Sequence, residues 1–241
     1  ESKMVTDALP CHPVGKGETL GKGETQRVEW KNCDECTLHL SDDVCVSVNG
    51  MAMSAERSSR CSDTFSCVHA AKGATLSLER CDLTTQFDCY VVHVSHESTT
   101  AVISSCCIHD GLEGGVSISR GAEATLENND IHSNGIGVSV TTEGRRVVLR
   151  NNRLKRQKRF GVVIFGANVE ATLEDNTISD NDWAGVESTD HSTVTLTGNP
   201  IKGNGQCKIE LSREGLCTWG AYYADFYQGN GFPGMLVTHY G

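Results

Sequence analysis

Leu126-Glu-Asn-Asn129-Asp-Ile131 returns 23 residues later as Leu149-Arg-Asn-Asn152-Arg-Leu154, and again as Leu173-Glu-Asp-Asn176-Thr-Ile178. The phrase is an apolar residue, two polar ones, Asn or Cys, one further residue and an apolar one. Earlier copies are Leu78-Glu-Arg-Cys81-Asp-Leu83 and Ile103-Ser-Ser-Cys106-Cys-Ile108, and a last one is Leu196-Thr-Gly-Asn199-Pro-Ile201. First residues are separated by 25, 23, 23, 24 and 23 positions. A fixed period in this range marks a stack of like units, each covering the apolar edge of the next.

Outward from the phrase, each unit carries two alternating stretches: Gly115-Val-Ser-Ile118 with Ala124-Thr-Leu126, then Gly137-Val-Ser-Val140 with Val147-Val-Leu149. Gly161-Val-Val-Ile164 with Ala171-Thr-Leu173, and Gly185-Val-Glu-Ser188 with Val194-Thr-Leu196, continue the series. Period-two alternation places Val116, Ile118, Ala124 and Leu126 inside, and Ser117, Thr125 and Glu127 outside. Short strands that coil once per unit and pair in parallel at about 4.8 Å make an all-β, single-stranded right-handed parallel β-helix of about six regular rungs. Asn129, Asn152, Asn176 and Asn199 fall where the chain bends between strands. Asn tolerates left-handed backbone there, and stacked amides can bond from rung to rung.

The period blurs at both ends. Val28-Glu-Trp30, Cys36-Thr-Leu-His-Leu40 and Val44-Cys-Val-Ser-Val48 read as strands of irregular first coils. Trp219-Gly-Ala-Tyr-Tyr-Ala-Asp-Phe-Tyr227 gathers aromatics scarce elsewhere, as a cap over an open stack does. The expected organisation is an N-terminal segment with irregular coils over 1–66, regular rungs over 67–205 and a cap over 206–241. The chain starts Glu-Ser-Lys-Met, with no signal segment and no initiator Met, as expected of a piece processed from a longer protein. No apolar run approaches the roughly 18 residues of a membrane span, so none is expected.

The repeat, with Gly-Val-x-Ile about ten residues before its Leu, resembles that of the carbohydrate-binding and sugar-hydrolase class of β-helices. That class includes pectate-lyase-like enzymes, a periplasmic accessory protein of nitrous-oxide reductase and the substrate-binding β-helix of certain F-box proteins. The likeness spans about residues 67–205 and implies the fold. Gln206-Cys207-Lys-Ile209 and Asp225-Phe-Tyr227 faintly resemble the segment after the helix in the F-box group, though no F-box is present. Enzymes and non-enzymes share this repeat, so the resemblance does not choose between them.

A net charge of −10 argues against a nucleic-acid partner, which calls for a basic surface. One stretch opposes the average: Arg145 to Arg159 holds eight basic residues and no acid, leaving −18 for the remainder. In the outward column after Leu the order is Glu79, Ser104, Glu127, Arg150, Glu174, Thr197, so Arg150 stacks between glutamates. Arg153 follows Asp130, and Arg156 lies between Ser133 and Asp180. Such pairing accounts for Arg150 as a charge ladder, but Lys155, Lys158 and Arg159 have His132, Gly135 and Ile136 beside them. Arg145, Arg146, Arg153, Lys155, Arg156, Lys158 and Arg159 are therefore the candidate surface for an acidic polymer or protein partner.

No cofactor is expected, and no metal site is assigned. The nearest metal candidates are His69 with His93, stacked in one outward column, and the lone Cys33-Asp-Glu-Cys36 pair, which lacks a second pair. His69 and His93 read as surface histidines, as does His191 beside Asp190. Cys81 and Cys106 stand where later rungs have Asn and are expected to be inward, free thiols. A polysaccharide lyase, hydrolase or epimerase would need clustered carboxylates on one face. Asp180 and Asp182 beside Trp183, with Asp110 two rungs earlier, are the closest approach, although turn Asp usually serves backbone geometry. The reading that follows is a non-catalytic scaffold or accessory β-helix, with a sugar-active or lectin-like protein binding a polysaccharide as the alternative.

Overall fold

A computed structural model describes residues 38–40, 45–55, 66–86, 88–141, 146–189 and 192–205, together with strands Met4–Val5, Thr25–Val28, Ile209–Ser212, Leu216–Trp219 and Met235–Thr238. Each coil turns through three strands rather than two. Gly114–Ser119, Glu123–Glu127 and Asp130–His132 form one coil, and their equivalents stack into three parallel sheets. Sheet 1 collects the Gly-Val-x-Ile strands, sheet 2 the Ala-x-Leu strands, and sheet 3 the short strands beyond the Asn. Pairing is in strict register: Leu126 lies between Ile103 and Leu149, and Ile131 between Ile108 and Leu154.

The interior is the one the alternation predicts. Val116, Ile118, Leu126 and Ile131 are fully buried, as are Leu149, Leu154, Leu173 and Ile178. Burying one such side chain contributes about 1.5–3 kcal/mol, and each coil adds several. Sheet 1 departs from the simple pattern on its outer side, where Ser117, Ser139 and Ser95 are nearly covered.

The Asn column forms the expected ladder. Asn129 Nδ2 donates to Asn152 Oδ1 at 2.9 Å, Asn152 to Asn176 at 3.0 Å and Asn176 to Asn199 at 2.9 Å. Each amide also donates to a carbonyl of the preceding coil, as Asn152 does to Leu126 at 2.8 Å. The left-handed residue is not the Asn but the one before it. Arg80, Ser105, Asn128, Asn151 and Asp175 all have φ between 52° and 57°, with Gly50 and Gly198 completing the column. The Asn itself must aim inward, so the reversal is made one step earlier.

Cys81 and Cys106 continue the ladder as free, buried thiols. Cys106 Sγ accepts from the Cys81 amide at 3.4 Å, and the Cys106 amide donates to Asn129 Oδ1 at 2.9 Å. A further coil precedes them: Leu38–Leu40, Cys45–Asn49 and Ala52–Ala55 pair in register with Val68–Ala71, Thr75–Glu79 and Asp82–Thr85. Met51, buried, takes the Asn position there, which hides this copy from a search for Asn or Cys. Cys33, Cys36, Arg145, Asp190, His191, Cys207 and most of the aromatic cap lie outside the described residues. Among the described residues no helix is long and apolar enough to cross a membrane.

Candidate functional site

The basic stretch is one whole coil, so its side chains point to several sides of the stack. Arg146 and Arg150 lie on sheet 2, Arg153 and Lys155 on sheet 3, and Arg156, Lys158 and Arg159 at the corner leading back to sheet 1. Neighbouring coils neutralise most of it. Arg150 pairs with Glu174 at 2.6 Å and with Glu127 at 3.6 Å, and these carboxylates raise its already high pKa. Arg146 is in register with Glu170. Arg153 and Lys155 share Asp130 Oδ2 at 3.4 and 3.1 Å. Arg159 reaches two coils back to Glu113, donating to its carbonyl at 3.1 Å and its carboxylate at 3.2 Å. Lys155 and Arg159 thus have acids that lie diagonally, beyond the residues directly beside them in register. Arg156 and Lys158 are exposed and form no ion pair among the described residues.

That corner also carries aromatics. Trp183 is 41% exposed and meets Phe160 edge-to-face, with ring centroids 5.1 Å apart. The Trp183 amide donates to the Arg159 carbonyl at 3.0 Å, which sets Trp183 one coil beyond Arg159, on the side opposite to Glu113. Tyr90 lies against Gly114 near Glu113 and Arg159, and burial pushes its phenol above the usual range.

The three aspartates do not converge. Asp110 and Asp180 occupy the same left-handed corner position, with φ 60° and 57°, but three coils apart, not two, with Ser133 and Arg156 between them. Successive coils advance about 4.8 Å, so their backbones are about 14 Å apart. Asp180 accepts from Ser179 Oγ at 2.9 Å and overhangs Gly203, while Asp182 is exposed. Asp110 belongs to a different cluster.

His69 and His93 do stack, with centroids 4.9 Å apart and planes 15° from parallel. They are not surface groups: His69 is buried and His93 partly so. Each leans along the face so that its Nε2 hydrogen-bonds a serine of the next coil, Ser95 and Ser119, at 3.2 Å. Burial first, then the charges of Arg120 and His96, lowers the His93 pKa to about 4.

A second polar cluster covers sheet 3, and no phrase in the sequence announces it. Two outward columns run Asp82, Cys107, Asp130, Arg153 and Thr84, His109, His132, Lys155. Ligand atoms of Asp82, Cys107 and His109 all lie within 4.8 Å of one another. His109 Nε2 meets Asp82 at 2.9 Å and its Nδ1 meets Asp110 at 2.7 Å. Burial disfavours the imidazolium, but the hydrogen bonds and charges of Asp110 and Asp82 outweigh it and raise the pKa. His109 stacks on His132 at 5.3 Å, and Cys107 Sγ lies 3.5 Å from His132 Nε2. Burial, then Asp82 and Asp130, pushes the Cys107 thiol to about 11. A protonated thiol is a poor nucleophile, so this Cys–His contact does not resemble an activated catalytic pair. The sequence signal for the cluster was register alone: the positions one and three residues after the Asn column.

Three in-register parallel sheets around an Asn-laddered apolar interior define a parallel β-solenoid. A family model described as a right-handed β-helix region matches residues 32–143 and 66–220, and the chain belongs to that family. No curated protein and no solved structure matches the chain significantly.

Proposed function

We propose that this chain is a non-catalytic β-helix that presents a recognition corner to an acidic partner, a protein surface or an acidic polymer. The observation that carries the reading is Trp183, half in water and braced edge-on by Phe160, one coil from Arg159 and Lys158. Trp and Arg are among the residue types enriched in binding hot spots. The cations paired on sheets 2 and 3, and Arg159 with its bonds to Glu113, serve the stack, so the binding set narrows to Arg156 and Lys158, with Arg145, Arg146, Arg153, Lys155 and Arg159 peripheral. The likeness of the repeat to accessory and substrate-receptor β-helices accords with this role. A polysaccharide ligand is the second reading, favoured by the exposed indole beside Asp182.

Polyglutamate and an array of acidic glycans separate the two readings, with turnover followed on each bound glycan. We expect polyglutamate to be retained, and Arg156→Glu/Lys158→Glu and Trp183→Ala each to weaken binding at least tenfold at unchanged melting temperature. Equal binding by the charge-reversed variant would sink the proposal. Glycan turnover abolished by Asp180→Ala or Asp182→Ala would replace it with the enzyme reading.

A further inference from the structure

We infer that the outer face of sheet 3 is a zinc-class metal site, with Cys107 Sγ, His109 Nε2, His132 Nε2 and the Asp82 carboxylate as its four ligands. The site is independent of the recognition corner, and its donors come from three successive coils. Asp82, Cys107 and Asp130 share one column, and Thr84, His109 and His132 the next. Sulfur, two imidazoles and one carboxylate form a tetrahedral donor set for zinc; calcium and magnesium take oxygen.

Asp82, Cys107 and His109 already hold their ligand atoms within 4.8 Å of one another, and His132, whose Nε2 lies 3.5 Å from Cys107 Sγ, must swing inward to complete the set. With Zn–S about 2.3 Å and Zn–N about 2.0 Å, the S···N edge of a zinc tetrahedron is about 3.5 Å. Cys107 Sγ and His132 Nε2 are 3.5 Å apart. The Asp82 oxygen and His109 Nε2, 2.9 Å apart, need open by only a few tenths of an ångström. The rings of His109 and His132 stack within 8° of parallel with centroids 5.3 Å apart, so the His132 ring must tilt towards His109 when the metal binds.

The far side of each ring is also arranged. His109 Nδ1 is held by Asp110 at 2.7 Å, and His132 Nδ1 by Ser133 at 3.1 Å. Both partners are the left-handed corner residues, φ 60°, which turn the chain back on the preceding imidazole. A histidine whose Nδ1 is fixed by a hydrogen bond presents Nε2 to a metal in defined orientation. Asp130 Oδ1, next to Cys107 in register, is buried and has no hydrogen-bond partner, leaving an acceptor beside the centre. On binding, the Cys107 thiol proton and the His109 Nε2 proton pass to solvent, and the cation takes their place.

Cobalt(II), titrated into the reduced full chain, reads the site directly. One equivalent should give a thiolate-to-cobalt charge-transfer band that one equivalent of zinc removes. Cys107→Ser should abolish the band and weaken zinc binding at least tenfold, His132→Ala should weaken it similarly, and Asp110→Asn should weaken it about 10–100-fold. If Cys107→Ser does not fold, His109→Gln, which keeps the thiol, should still cut zinc affinity at least tenfold. Unchanged affinity in that variant overturns the assignment. So does a band that survives Cys107→Ser, or one lost in Cys33→Ser/Cys36→Ser while Cys107 is intact.

Discussion

Two imidazoles at neighbouring rungs show how far a residue's behaviour depends on its place in the stack. His93 stacks on His69, bonds Ser119 and faces Arg120 and His96, and its folded pKa is about 4. An unfolded histidine titrates near 6.5. Between those values the unfolded chain holds a proton that the folded chain refuses, so stability rises with pH. The contribution is fully present above about pH 6.5 and is lost as pH falls through 4. Allowing for partial exposure, we expect a loss of about 2 kcal/mol across that window. Denaturant midpoints at pH 7 and pH 4 should therefore differ less in His93→Gln than in the parent; an unchanged difference contradicts the assignment. From sequence the column was legible, because both histidines are second in a Val-His-aliphatic trio. Their burial was not, since it depends on Ser95 and Ser119, which lie 26 residues beyond the histidines they meet. The Asn ladder was legible for the opposite reason: its members repeat one residue type at one spacing.

At the scale of one coil, the corner between sheets 3 and 1 carries a second ladder that the sequence concealed. The Asn134 amide donates to Gln157 Oε1 at 2.9 Å, the Gln157 amide to Asn181 at 3.0 Å and the Asn181 amide to Asn204 at 3.1 Å. Gln157 interrupts the run of Asn, and its longer side chain donates back to the Ile131 carbonyl at 2.7 Å. A reading keyed to Asn counts Gln157 only as part of the basic stretch. Above this ladder Gly115, Gly137 and Gly161 stack so closely that a methyl on one falls on the backbone oxygen of the next. On Gly137 it would meet the Gly161 carbonyl, with Gln157 Nε2 at 3.2 Å and Leu154 Cδ2 also at 3.2 Å. The first neighbour is backbone and cannot rotate away, so the coil spacing itself must give. Gly137→Ala should cost about 2–3 kcal/mol by overpacking, read as a lower urea midpoint. A midpoint equal to the parent's would mean that the coils separate freely at this corner.

Across the whole molecule, stacking in register sets equivalent outer residues about 4.8 Å apart, which makes a repetitive acidic chain repel itself. This chain is acidic overall, and its outer columns avoid unbroken runs of acid. On sheet 2 the sequence Glu79, Ser104, Glu127, Arg150, Glu174, Thr197 separates each glutamate from the next by a hydroxyl or a cation. The basic coil is thus a collar complementary to both neighbours, and because a slip of register would separate its cations from the facing carboxylates, it also helps to fix the pairing. Arg150→Glu would place three carboxylates in consecutive rungs. We expect a lower melting temperature at low salt and a smaller deficit in 1 M salt, where the Debye length is about 3 Å. Lys158→Glu, at an exposed corner position with no ion pair among the described residues, should leave the melting temperature unchanged at either salt. If the two variants melt alike, or the Arg150→Glu deficit ignores salt, the collar does not hold the stack together by charge. The division between structural cations on the sheets and recognition cations at the corner would then fail with it.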